Sequence, residues 1–401
     1  MVALVAGTRL GRGLRVQSLV MGWLSTAVGV VLILLGIGDV FFTVLHYDGF
    51  GFLSSRLYNR LFNVTRFVTR PLPRRYRALG LSMAAPLMVP ATITVWILLV
   101  TFGFALIYYQ SISVKTFYFS SPGLEPSFLE ALYLSATAIS TVGFGDVTPL
   151  STFYQLLTVS EALVGFGILT LAVSYVIGVY GVLQKLGVLA AGLHQQTQDT
   201  DDPWTILAPH FPDGQPRALE THLMELHRDM LELYEGIRRY PVAYYYHSRR
   251  AYRSLPYTFR MIGGVAGALR WGLPTGHYAT QTPWLPILIT GLLDFTNHVE
   301  ERFLPDPLEG APEPVPFETY QAALTREKDP SDWFLGRFLR MERWMRDLAR
   351  LEEEPDLEES YARYKEWLPF AHRIRSFFEA TAADLGYELD ELAQGPGKRL
   401  F

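Results

Sequence analysis

Three long apolar runs constrain this chain more than any other feature. They cover Met21 to His46, about Met83 to Tyr109 and about Phe153 to Leu183. Each is longer than the roughly 20 residues a helix needs to cross hydrocarbon. Inside a bilayer the backbone must satisfy its own polar groups, so such runs become helices rather than open strands. A cleaved signal peptide fits the first run poorly. It exceeds an h-region of about 7–15 residues, and no convincing small-residue cleavage site follows. Pro86 and Pro90 favour a bend near the start of the second run. The expected fold class is an all-α membrane protein.

Charge sets the expected orientation. The stretch between the first two runs holds Arg56, Arg60, Arg66, Arg70, Arg74, Arg75 and Arg77, with Asp48 as the nearby acid. Positive loops stay cytoplasmic. The C-terminal part is then inside and the N-terminus outside, although Arg9, Arg12 and Arg15 argue mildly against this. The arginines from Arg56 to Arg70 interleave with Leu57, Leu61, Phe62, Phe67 and Val68, the pattern of an amphipathic helix on the inner leaflet. Such a segment attracts anionic lipid. A voltage-sensing helix is disfavoured, because the arginines keep no strict three-residue spacing and too few other spans exist.

Between the second and third runs lie a polar turret and an apolar segment, Ser127 to Ser140, too short to cross. Then comes Thr141-Val142-Gly143-Phe144-Gly145-Asp146. Glycine reaches backbone angles closed to other residues, so alternating glycines can turn successive carbonyls toward one axis. A ring of such loops presents stacked carbonyl oxygens that replace a cation's hydration shell, with the Thr141 hydroxyl as a further layer. A motif counts only in its setting, and a short helix followed by a long apolar one is that setting.

This stretch resembles the selectivity filter of the tetrameric pore-loop potassium channels. The resemblance covers about Met83 to Leu183, roughly a quarter of the chain. It implies an outer helix, a pore helix capped at Ser127, the filter and an inner helix. It also implies that Thr141, Val142, Gly143, Phe144 and Gly145 form the ion-binding site for K+, which is then the permeant ion. Asp146 is expected to brace the filter from behind, supported by Tyr133 and Glu161. The family commonly has Tyr where Phe144 stands, so the missing hydroxyl puts filter rigidity in question. Gly165 falls where the family places its gating hinge. Close helix packing is the competing reading there, and Gly167, Gly178 and Gly181 are weaker hinge candidates. The pore loop occurs once in the chain, so a carbonyl ring requires a closed symmetric homo-oligomer, which the family makes a homotetramer.

Two acids sit inside apolar runs, where a charge is costly and finds a partner. For Glu161 two readings stay open: tuning the cavity or bracing the pore helix, or simply packing through hydrogen bonds. Asp39 is expected to pair with an arginine of the following basic segment.

Beyond Leu186 the chain turns mixed and richly charged. The net charge of −4 averages two unlike halves, and the absence of cysteine excludes disulfides and thiolate metal sites. Helical periodicity marks Ala218–Tyr240, Ala243–Trp271, Trp333–Glu354 and Leu357–Leu385. Trp284 to Phe295 reads as a buried core helix, Leu304 to Pro316 as a connector, and Asp329-Pro330-Ser331 as a helix start. Gly263-Gly264-Val265-Ala266-Gly267 lacks the GxGxxG spacing after a strand and reads as a helix contact. The Tyr244-Tyr245-Tyr246 run with Arg249 and Arg250 is expected to be a helix face that packs through its tyrosines. His222, His227, His247, His298 and His372 are scattered, so no metal beyond K+ is expected. No nucleophile–base constellation, organic-cofactor motif or nucleic-acid motif stands out, and no enzyme is expected.

The chain then divides into a tail (1–20), an extra transmembrane helix (21–46), a basic segment (47–82) and a pore domain (83–183). An inner-helix extension and linker (184–203) and a helical cytoplasmic domain (204–401) follow. The expectation is a potassium-selective channel subunit, multi-pass in the cell membrane, whose cytoplasmic domain biases the gate through an unidentified ligand. The rivals are a weakly selective cation channel and a non-conducting membrane-anchored sensor or scaffold.

Overall fold

The computed structural model of the protein describes residues 22–49, 51–120, 125–198, 200, 202–324, 332–353, 355–390 and 392. The N-terminal arginines and the Asp329-Pro330-Ser331 start signal lie outside the described residues. The apolar runs become helices α1 (Gly22–Leu45), α3 (Arg74–Tyr109) and α5 (Thr152–Gln196), each long and apolar enough to cross a membrane. With the helical C-terminal part, they make the chain an all-α membrane protein. By internal packing the chain forms two units. One holds the described residues of Met1–Asn63 with Ala85–Tyr180 and Arg239–Val242. The other holds Val64–Ala84, Gly181–Arg238 and the described residues of Ala243–Phe401.

In the first unit, small residues bring α1 and α3 together. A side chain added at Gly29 would sit 2.5 Å from the Gly103 carbonyl oxygen, and one at Gly103 would sit 2.7 Å from that of Gly29. Lipid tails give apolar faces no reason to associate, so close backbone approach of this kind supplies the attraction. The outward faces keep Leu34, Leu163, Phe166 and Ile177 exposed, as a lipid- or partner-facing surface requires.

Asp39 finds a different partner from the arginine expected. Its carboxylate is buried and accepts from the Trp96 indole N–H at 2.7 Å and from the backbone N–H of Leu53 at 2.8 Å. The Ser54 hydroxyl also donates to it. Helix α2 (Phe52–Thr69) has no acid in its first turn, and its first N–H groups lack intrahelical partners. Asp39 therefore caps α2 from outside it, where the helix dipole favours negative charge. That explains the acid in an apolar run better than an arginine that begins a turn later.

The amphipathic helix expected in the basic segment is α2: Tyr58 and Phe62 are buried, whereas Arg60, Phe67 and Val68 are exposed. The next helix starts at Arg74 rather than near Met83, so part of that segment is an extension of α3. Pro86 and Pro90 are accommodated inside the continuous helix. Two strands too short to announce themselves in sequence, β1 (Phe117–Phe119) and β2 (Val147–Pro149), pair antiparallel with Tyr118 opposite Thr148.

The second unit is helical, and among its described residues no strand occurs. It contains α6 (Leu219–Arg239), α7 (Leu255–Trp271), α8 (Trp284–Phe303), α9 (Phe317–Leu324), α10 (Trp333–Leu348) and α11 (Leu357–Leu385). The single helix expected over Ala243–Trp271 is broken. Pro241–Tyr245 and Ala251–Arg253 are 3-10 turns, and α7 begins only after Ser254, which accepts from Tyr257 N–H at 3.3 Å. Pro256 sits in that first turn, where its missing N–H costs nothing. The tyrosine run therefore packs from a turn rather than a helix face, with Tyr244 stacked on Phe303 at 4.1 Å.

Helix α10 ends before Glu354, where Arg350 takes a left-handed φ of 51°. Asp332 caps its start, accepting from Leu335 N–H at 2.7 Å. α8 runs past Phe295 to Phe303, and α9 was not expected. The core centres on α7. Phe259 meets Phe295 and Phe377, each pair at 4.7 Å between ring centroids. Each such buried ring contributes about 1.5–3 kcal/mol. The glycine cluster on α7 is a helix contact as expected: a side chain at Gly263 would collide with Ile374 at 2.7 Å.

The same unit draws basic-segment arginines to the end of α11. Arg66 pairs with Asp384 at 3.4 Å, Arg74 with Asp390 at 3.0 Å, and Arg77 with Glu388 at 3.6 Å. These pairs are partly exposed, so each is worth about 0–1 kcal/mol.

Candidate functional site

The site is built from helix α4 (Phe128–Ile139) and the loop behind it. Ser127 is extended at φ −145° and accepts from Glu130 N–H at 3.3 Å, which fixes where α4 begins. At the other end the chain folds back on its last turn. Thr141 N–H donates to Ala138 O at 2.9 Å, and the N–H groups of Val142 and Gly143 donate to Thr137 O at 3.1 and 3.2 Å.

Beyond that point the backbone alternates in handedness. Thr141, Gly143 and Gly145 have φ of 59°, 52° and 81°, whereas Val142 and Phe144 between them do not take positive φ. Alternation flips every second peptide relative to an ordinary strand, so successive carbonyls face the same side. Glycine takes these angles without penalty. Thr141 does not, and a β-branched residue held there stores about 1–3 kcal/mol. Chain neighbours do not dictate the glycines, since a side chain at Gly143 or Gly145 would meet nothing within 4 Å. Val142 and Phe144 are 54% and 71% exposed, a large apolar exposure for so short a loop.

Asp146 anchors the C-terminal end of the loop. The Tyr133 hydroxyl donates to its Oδ2 at 2.8 Å, and Val147 N–H donates to Oδ1 at 3.2 Å. Its own carbonyl accepts from Ser120 N–H at 2.9 Å, which ties the loop to the β1–β2 ribbon. Of the supporting residues named from sequence, Tyr133 and Asp146 thus meet directly.

Glu161 supports the site from a second layer. It is fully buried on α5, accepts from the Tyr108 hydroxyl of α3 at 2.7 Å and bonds to the Ser135 hydroxyl of α4. Ser135 Oγ also reaches Thr101 O at 2.9 Å. One carboxyl group therefore joins three helices through hydrogen bonds, a geometry that bracing of α4 and packing through hydrogen bonds share. Sequence reasoning missed Tyr108 and Ser135. Each segment carries several hydroxyls, with Thr92, Thr94, Thr101 and Tyr109 beside Tyr108 and Tyr133 and Thr137 beside Ser135, so the sequence did not single out the two that meet Glu161. Tyr108, Phe117 and Tyr154 then wedge the helix ends to the ribbon, with Phe117 and Tyr154 centroids 5.3 Å apart.

Gly165 lies against the end of α4. A side chain there would meet the Ile139 carbonyl oxygen at 2.1 Å, so the glycine is used for close approach. A side chain at Gly178 would likewise meet the Tyr240 ring at 2.3 Å, whereas one at Gly167 or Gly181 would meet nothing within 4 Å. Helix α5 runs unbroken through all four positions.

Comparisons with known proteins bear on this geometry. Residues 94–181 match the model of a family described as ion channel, a stretch that takes in the C-terminal part of α3, α4, the loop and α5 as far as Gly181. Over 274 residues the chain is 23% identical to the uncharacterized membrane protein YdjJ of Bacillus subtilis (strain 168), covering 64% of this chain and 77% of that protein. No solved structure matches the chain. The similarity supports an ion channel domain that coincides with the segment holding the loop.

Proposed function

We propose that the chain is one subunit of a homotetrameric potassium channel that passes K+ passively across the cell membrane. The observation that carries this reading is the alternating backbone at Thr141, Gly143 and Gly145. Four such loops around one axis stack rings of oxygen from Thr141 to Gly145, and these rings replace the water around a dehydrating ion. Ions in adjacent rings repel one another, so binding tight enough to admit an ion does not trap it. The partial negative charge at the C-terminal end of α4, aimed at the axis, favours a cation just inside the rings.

One loop per chain makes several copies necessary, and closed symmetry is the economical arrangement. The exposure of Val142 and Phe144 supports partner copies around the loop. The arginine excess before α3 supports a cytoplasmic C-terminal part and an outward N-terminus. Anionic lipid at α2 fits the same excess, although Arg66, Arg74 and Arg77 already engage carboxylates of the protein.

The C-terminal helices continue the chain from α5, so a ligand with different affinity for open and closed states can bias opening there. Truncation after Gln196 tests this; unchanged assembly and open probability would remove the regulatory role. A second reading, a weakly selective cation channel, is favoured by Phe144, which offers no hydroxyl to stiffen the loop. The reversal potential between potassium and sodium separates the two.

A further inference from the structure

The corner where α2 ends and α3 begins, Val64 to Met83, holds five arginines and no acid. Its angle is fixed by close packing. A side chain at Gly80 would sit 2.4 Å from Thr69 Cγ2, so the glycine lets the last turn of α2 close against the first turns of α3. The connecting turn is tied by Leu72 N–H to Thr69 O at 3.0 Å and by Tyr76 N–H to Pro73 O at 2.9 Å.

Two faces of this corner meet different surroundings. On α3, Arg74, Arg77 and Leu81 recur at helical spacing and turn to the residues that close α11. Arg74 pairs with Asp390 and Arg77 with Glu388, while a side chain at Gly386 would sit 2.6 Å from Leu81 Cδ1. Arg66 of α2 joins them through Asp384. Tyr76, Leu79 and Met83 recur at the same spacing on another face of α3, and all three are exposed. Val64, Phe67 and Val68 form an equally exposed face on α2. Phe67, at 79%, is the most exposed large apolar side chain among the described residues. Arg70 and Arg75 flank these faces, exposed and, among the described residues, without an ion pair.

A contiguous apolar patch marks a surface that something covers. The course of α3 indicates what that is. The helix begins at Arg74, whereas its apolar run opens at about Met83, so Arg74 to Ser82 lie at or beyond the surface of the bilayer that the run crosses. A helix face that mixes bulky apolar side chains with arginine is suited to that boundary, and guanidinium edges pair with phosphate oxygens. We infer that this corner docks on an anionic phospholipid surface, with the two apolar faces immersed at the headgroup–acyl boundary and Arg70 and Arg75 on headgroup phosphates. The docking rests on the lipid reading proposed above and names its contacts, because the arginines held by the end of α11 are set apart from those left for lipid. It stands or falls separately from the pore's selectivity, since its test reads lipid contact alone.

The parent chain has no cysteine, so Phe67→Cys and Leu79→Cys each place a single bimane label on the corner. Arg228→Cys, exposed on α6, is the control. The labelled full-length protein is reconstituted in vesicles of phosphatidylcholine, alone or with phosphatidylglycerol, and acyl-brominated phosphatidylcholine serves as quencher. In the mixed vesicles both corner labels are expected to be quenched several-fold more than the control. Arg70→Gln combined with Arg75→Gln is expected to bring that quenching down to the level in phosphatidylcholine alone, since two basic residues near an anionic surface favour docking about tenfold or more. The lipid assignment is overturned if neither corner label is quenched more than the control. It is equally overturned if quenching is the same in the two kinds of vesicle or survives the double substitution, which would leave an apolar contact without recognition of the anion. Corner labels shielded from brominated lipid and from aqueous iodide alike would overturn it in favour of a second copy of this chain.

Discussion

The Tyr133 hydroxyl donates to Asp146 Oδ2 at 2.8 Å, joining the middle of α4 to the C-terminal end of the loop it leads into. A bond of this kind contributes about 0.5–1.5 kcal/mol. Its larger effect is geometric, because the loop's alternating backbone carries strain at Thr141 that only a firm surround can hold. Tyr133→Phe should therefore leave the protein folded and assembled while shortening the lifetime of the conducting state several-fold. Current decay in a planar bilayer checks this, and unchanged decay would show that the bond does not rigidify the loop.

Glu161 joins α3, α4 and α5, so its removal should be costly. Glu161→Ala leaves the Tyr108 hydroxyl without its carboxylate partner and is expected to lower stability by about 2–4 kcal/mol. Glu161→Gln keeps an acceptor for Tyr108 and a partner for Ser135, and should recover most of the loss. Thermal unfolding in detergent separates the two variants. Equal losses would mean that charge, not hydrogen bonding, holds the helices.

Gly165 and Gly167 give a direct contrast. Gly165→Ala forces a side chain onto the Ile139 carbonyl, whereas Gly167→Ala meets open space. Overpacking of the first kind costs about 1–3 kcal/mol. The expected outcome is a destabilised protein for Gly165→Ala and near-parental stability for Gly167→Ala. If both variants are equally stable and only opening changes at Gly165, the position acts as a hinge.

Acid sensitivity should trace to His222. Burial lowers it from 6.5 to about 4, and the charge of stacked His210, 4.3 Å away, acts in the same direction. A group whose folded value is depressed supports the fold above its unfolded value. His222 therefore contributes at neutral pH, and its contribution fades as pH falls from 6.5 toward about 4. Because the ring is only partly buried, the effect is modest. Unfolding temperatures at pH 7.5 and 5 should converge in His222→Phe relative to the parent; an unchanged difference would place the sensitivity elsewhere.

Much of this was legible in the sequence. The three spans follow from apolar length alone, and α4 follows from Ser127 and a run too short to cross. The loop's handedness follows from glycines at every second position. What was not legible depended on partners distant in sequence. Asp39 looked like an arginine's mate because the arginines are near in sequence, yet the orphan N–H groups of α2 and the Trp96 indole lie nearer in space. The break before α7 needed Ser254 and Pro256 to be weighed together against a periodicity that ran through them. The β1–β2 ribbon is too short for any periodic signal. The layer made by Tyr108, Ser135 and Glu161 exists only once three helices are placed side by side.

The measurement that bears most directly on the account is the reversal potential of the purified protein in a planar bilayer, with potassium on one side and sodium on the other. A potassium-selective pore gives a value near the potassium equilibrium potential and a current abolished by Gly143→Asp. A reversal potential near zero, with current that Gly143→Asp still abolishes, would contradict potassium selectivity and leave a weakly selective pore.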